Sequence, residues 1–140
     1  MSRPAFTVIE ITITLCILCV LTAIAMPQAA KLVDRVQLRG AVMDIESAFS
    51  GARHLAIARS ARSTVEIDTA AREIYVSVNG DIVRTRKIGA EHGVQISASR
   101  DRMSYAATGI GYGAANLSVV VRRSSAVDTV VVSRLGRVRH

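Results

Sequence analysis

Twenty consecutive residues, Ile11 to Ala30, carry no charge, and one carboxylate, Glu10, stands at the head of that run. At ~1.5 Å per residue, a helix of this length covers a hydrocarbon core of roughly 30 Å. The run is apolar on every side, whereas a helix lying on a soluble core needs only one apolar face. An ionised carboxylate costs about 3 kcal/mol deep in such a span and less near its edge. An acid kept there therefore points to function. The rival reading is a cleaved secretory signal. Arg3 provides a short basic start, and Ala23-Ile24-Ala25 matches the small-residue pattern of a signal-peptidase site. Glu10 stands where such signals carry no acid.

Beyond Pro27 the pattern becomes amphipathic. Leu38, Val42, Ile45, Phe49, Ala52 and Ala56 recur at steps of three and four, while Asp34, Arg35, Arg39, Asp44, Glu46 and Arg53 take the other faces. One helix is expected from Phe6 to about Arg59, with Pro27, Gly40 and Gly51 as bending points. After Ser60 the texture changes to strands. Thr64 to Asp68 alternates, as does Glu73 to Val78, with Ile74, Val76 and Val78 on one face. Asn79-Gly80-Asp81 reads as a hairpin turn returning through Ile82-Val83 to Lys87. A loop with Gly89 and Gly93 leads to Val94-Gln95-Ile96, then to a stretch spaced by Gly109, Gly111 and Gly113. Two runs follow, Leu117 to Val121 and Val127 to Val132, joined by the polar Arg122-Arg123-Ser124-Ser125 turn. The expected class is α+β, one long helix packed on an antiparallel β-sheet.

At 140 residues the chain has room for one domain, and the part beyond the apolar run suffices for one modest core. Cys16 and Cys19 sit inside the apolar run at helical i, i+3 spacing. They read as small hydrophobes, because no nearby group would stabilise a thiolate or complete a metal site. The three histidines, His54, His92 and His140, have no ligand-like spacing to one another or to carboxylates. There is no Gly-x-Ser-x-Gly and no phosphate-cradling loop, and Gly109-Ile110-Gly111-Tyr112-Gly113 lacks a following helix. Neither catalysis nor a cofactor or metal is expected.

A short polar leader followed by Phe6-Thr7-Val8-Ile9-Glu10 and an uncharged helix resembles the N-terminus of type IV pilins and type II secretion pseudopilins. The resemblance implies a leader of residues 1–5, cut between Ala5 and Phe6 by a prepilin peptidase that also methylates the new amine. Ala5 stands where the family has Gly, and Pro27 where many pilins carry a kinking proline. Residues 6–30 would then be the transmembrane and assembly helix, 31–60 its amphipathic continuation, and 61–140 a periplasmic β-sheet domain. The chain would stay in the bacterial inner membrane as a single-pass protein. The Phe6 amine of one subunit would meet Glu10 of its neighbour, setting register as a filament of pilin or pseudopilin subunits grows. A bare count of positive charges, Arg3 before the span against Lys31, Arg35 and Arg39 after it, favours the opposite orientation. Long domains cross largely regardless of charge, so the resemblance decides.

The end of the chain, Ser133 to His140, includes Gly136-Arg137-Val138-Arg139 and resembles the minor pseudopilins grouped as GspH/FimT-like. Two roles are implied. One is a structural subunit of a type II secretion or type IV pilus filament; the other is a pilus-associated DNA receptor acting through the Gly-Arg-x-Arg tail. The residues themselves bear on the second. Net charge is +7, with sixteen arginines against two lysines, and a basic balance favours polyanions. From Leu117 onward Arg122, Arg123, Arg134, Arg137 and Arg139 meet a single acid, Asp128. Arg137 and Arg139 point the same way on a strand, and paired guanidiniums suit phosphate oxygens. Such contacts hold the backbone without reading sequence. The candidate DNA contacts are those five arginines together with Gly136, and the alternatives are a solvated strand end or arginines pairing with acidic neighbours in a filament tip.

Overall fold

A computed structural model describes residues 7–112, 116–133 and 137–139. Thr7 opens the first helix. Its Oγ1 accepts the Glu10 backbone N–H at 3.3 Å, and its carbonyl accepts from Glu10 and Ile11. That is N-cap bonding, at the head of a Thr-x-x-Glu capping-box spacing. Helix α1 then runs Val8–Ala58 with Pro27 inside it. It ends in a Schellman motif: Ala61 N–H donates to the Ala56 carbonyl and Ser60 N–H to the Ile57 carbonyl. Ser60 holds the left-handed position at φ 47°.

The chain divides into two compact units, Met1–Val33 and Asp34–His140. In the first, every described helical side chain from Val8 to Val33 is exposed. An eighteen-residue window there has mean hydropathy 2.5, with none of it buried, so this helix is long and apolar enough to cross a membrane. Its threonines need no water. Thr12, Thr14 and Thr22 donate to the carbonyls of Ile9, Glu10 and Leu18 at 2.8, 2.7 and 2.9 Å, the satisfaction a lipid environment demands.

The second unit begins with the remainder of α1. Its stripe Leu38, Ala41, Val42, Ile45, Ala48, Phe49, Ala52 and Ala56 is buried, including all six positions expected from the spacing. Strand β1 (Ser63–Asp68), β2 (Glu73–Val78) and β3 (Asp81–Arg86) form a meander. The Asn79-Gly80 turn has φ 54° and 98°, the double left-handed pair of a two-residue hairpin. A short helix α2 (Ile88–His92) follows, then β4 (Gln95–Ala98), β5 (Arg102–Tyr105), β6 (Gly111–Tyr112), β7 (Leu117–Arg123), β8 (Ala126–Val132) and β9 (Val138–Arg139).

Where one sheet is expected, the described residues form two, both antiparallel. A five-stranded sheet has the order β3-β2-β1-β5-β6, and a four-stranded sheet has the order β4-β7-β8-β9. The chain passes between the sheets from β3 to β4, from β4 to β5 and from β6 to β7, the second time at the polar Ser99-Arg100-Asp101. There Ser99 N–H bonds back to the Ser118 carbonyl while the Asp101 carbonyl accepts from Ile67 in the other sheet. Strands of both sheets join the α1 stripe in one core around Phe49, Tyr105, Ile45, Ile74 and Leu117. Each large buried side chain there contributes about 1.5–3 kcal/mol relative to exposure. Segment 88–93, expected as a loop, is α2 with Gly93 as its left-handed C-cap at φ 62°.

Candidate functional site

The candidate residues fall on two surfaces, one in each unit. In the first, Glu10 lies in the opening turn of α1 and is exposed. The Thr7 hydroxyl uses only the backbone N–H of Glu10, and Thr14 uses only its carbonyl. Ile11, Thr14 and Leu15 line a shallow depression beside it. Here the helix N-terminus favours a negative group. Ala5 and Phe6 lie outside the described residues, as do Arg134 and Gly136.

In the second unit, the four-stranded sheet turns one face to solvent. Along β4 this face presents Gln95 and Ser97; along β7, Ser118, Val120 and Arg122; along β8, Val127, Thr129 and Val131; and along β9, Arg139. Among the described residues none of these is acidic, because Asp128 alternates to the other side and accepts from Thr129 N–H. Arg137 is also exposed, its N–H donating to Ser133 Oγ and its carbonyl accepting from Ser133 N–H. Arg137 and Arg139 line a depression with Asn116, Val131 and Ser133. Arg122 pairs opposite Val127 and Arg139 opposite Val131. They are therefore separated along β8 by four residues, about 13 Å. Neither Arg122, Arg137 nor Arg139 has an ion-pair partner among the described residues.

Arg123, a candidate from the same turn, is used differently. Its Nε donates to Asp34 Oδ1 at 2.8 Å, and Nη1 donates to the His92 carbonyl. The Arg123 guanidinium, helped by the Ser124 hydroxyl, lowers the Asp34 carboxyl below its ordinary 3.8. This side chain clips the hairpin to α1 and α2, on a different surface from Arg122.

Next to that clip lies a cluster that sequence spacing did not reveal. The sequence gives His92 no ligand-like spacing to a carboxylate, but the fold supplies one 48 positions away. Its Nε2 stands 2.8 Å from Asp44 Oδ2 and its Nδ1 3.2 Å from Gln37 Oε1. Arg86 Nη1 is 4.0 Å from Asp44 Oδ1. Gly40 makes room for the ring, since a Cβ there would meet His92 Cε1 at 2.8 Å. The signal that could have found this pairing is the Gln37, Gly40, Asp44 spacing, which lies along one helix face with a gap in the middle.

No protein-family model matches the sequence, and no curated protein matches it. Solved structures do. The type IV minor pilin FimU of Pseudomonas aeruginosa strain PAO1 is similar in two crystal forms. The first has a TM-score of 0.64 over 77% of this chain and 90% of that chain. The second has 0.61 over 73% and 90%, and sequence identity is 10% in both. With a membrane-capable N-terminal helix leading into an antiparallel α+β domain, the chain has the type IV pilin fold.

Proposed function

We propose that this chain is a minor pseudopilin, a structural subunit of a pilus-like filament in a type II secretion or type IV pilus machine, with no enzymatic activity. The single observation that carries the reading is Glu10, in the first turn of α1 at the head of an uncharged, exposed helical segment, residues 11–30, on a pilin fold. In this reading prepilin peptidase cuts between Ala5 and Phe6 and methylates Phe6. The helix anchors the chain in the inner membrane, the β-sheet domain lies in the periplasm, and Glu10 receives the Phe6 amine of a neighbouring subunit. Mass spectrometry of the mature protein from membranes tests the processing step: N-methyl-Phe6 is the expected first residue, and a start after Ala25 refutes it. Glu10→Ala is expected to leave membrane insertion intact and to abolish incorporation into filaments. Normal incorporation of that variant removes the role given to Glu10.

A second reading is favoured by the acid-free outer face of the four-stranded sheet. In it, Arg122, Arg137 and Arg139 hold a DNA backbone, with the Gly136-Arg137 tail completing the contact. Gel shifts with the full chain in detergent micelles are expected to show sequence-independent binding that weakens steeply with salt. The Arg137→Ala/Arg139→Ala double variant should lose it. Absence of binding at low salt sinks this reading and leaves the structural role standing.

A further inference from the structure

We propose that Asp44, Glu91 and His92 form a binding site for a divalent transition-metal ion of the zinc type, which fastens α2 to α1. One donor atom from each residue lies within 4.8 Å of the others. A tetrahedral zinc ion with bonds of ~2.0–2.1 Å holds its ligand atoms roughly 3.3 Å apart. His92 Nε2 and Asp44 Oδ2 are already 2.8 Å apart, and Glu91 is exposed, so its side chain can swing in to close the set. Three protein ligands leave a fourth position for water, the open arrangement zinc accepts. The imidazole nitrogen selects against calcium and magnesium, which take oxygen ligands.

The surroundings position the histidine as a ligand. Gln37 Oε1 accepts from Nδ1, the outer contact that fixes a metal-binding imidazole with its other nitrogen directed at the ion. Gly40 lets the ring lie directly on α1, and Arg123 holds the His92 carbonyl. The ring is thus held through its far nitrogen, its Cε1 edge and its backbone. An ordinary ion pair would need only one carboxylate, and Asp44 already has Arg86 beside its other oxygen. Glu91 supplies the third donor. On binding, the metal takes the Nε2 lone pair, and any proton on Nε2 leaves to solvent.

The test uses the untagged full chain in detergent micelles after chelator treatment. Cobalt(II) is expected to bind one ion per chain with visible absorption of a four-coordinate site. Zinc should displace it and raise the unfolding temperature in a saturable way. Glu91→Ala, a change at an exposed position whose fold is checked by circular dichroism, should lose this binding, and His92→Ala should lose it too. Gln37→Leu should weaken zinc about tenfold. Lack of saturable zinc or cobalt binding overturns the proposal. So does binding that survives both Glu91→Ala and His92→Ala, or stabilisation by calcium or magnesium but not by zinc.

Discussion

Arg123 Nε and Asp34 Oδ1 meet at 2.8 Å across 89 positions of sequence. The pair ties the last residue of β7 to α1 where the second unit begins. Hydrogen bonding to Arg123, with Ser124 adding to it, lowers the Asp34 carboxyl below its ordinary 3.8. A lowered folded-state value means that the stabilisation is full above the unfolded value and disappears as pH falls through the folded one. Thermal unfolding of the wild type should therefore steepen below about pH 4. Asp34→Asn should start less stable at neutral pH and converge with the wild type in acid. Parallel curves for the two proteins across that range would show that the pair contributes nothing.

Tyr105 gives the opposite sign at the alkaline end. Burial pushes its phenol up to about 12 from an ordinary 10.0, partly opposed by the Arg53 charge. Its stabilising effect is complete below pH 10 and is lost as pH rises towards 12. Tyr105→Phe should lie within about 1 kcal/mol of wild type at pH 7, because the hydroxyl has no hydrogen-bond partner among the described residues. Between pH 10 and 12 it should retain stability that the wild type loses, read by circular dichroism.

Gly40 offers a prediction whose sign depends on a neighbour. In a bare helix Gly→Ala gains about 1 kcal/mol. Here the new methyl would meet the His92 ring and break its bonds to Gln37 and Asp44, a loss of about 1.5–3 kcal/mol. Gly40→Ala should therefore destabilise the wild type by about 1 kcal/mol and stabilise the His92→Ala variant by a similar amount. A double-mutant cycle by chemical denaturation measures both. Gain in both backgrounds would mean that the ring does not press on Gly40.

Phe49 lies fully buried at the centre of the α1 stripe. Phe49→Ala should cost about 3–5 kcal/mol in denaturant unfolding. Val36→Ala, an exposed change on the same helix, should cost less than about 0.5 kcal/mol. Similar losses at the two positions would mean that the α1 stripe is not the core.

Much of the α1 region was written in local order. The expected helix, Phe6 to about Arg59, differs from the observed Val8–Ala58 by one or two residues at each end, because helical bonds connect neighbours four positions apart. Ile74, Val76 and Val78 face the core as their alternation requires, and Asn79-Gly80 turns the chain as its φ preferences require. Strand β5 leaves little mark in the sequence, because Arg102 to Tyr105 has only Met103 and Tyr105 buried, too short an alternation to stand out from the polar run before it. Helix α2 was hidden because Gly89 and Gly93 look like loop residues. In the fold Gly89 N–H bonds to the Arg72 carbonyl, and Gly93 caps the helix.

The amino-acid order alone determined where the helix runs, which of its faces is apolar, and that an acid stands at the head of a membrane-length segment. Those are properties of residues within a few positions of one another. Only the tertiary structure decided that the strands split into two sheets, that Arg123 parts from Arg122 to hold Asp34, and that His92 meets Asp44 over Gly40. Each of these joins residues separated by dozens of positions. Their proximity is fixed by how a shared core packs, and local spacing encodes at most one side of such a contact.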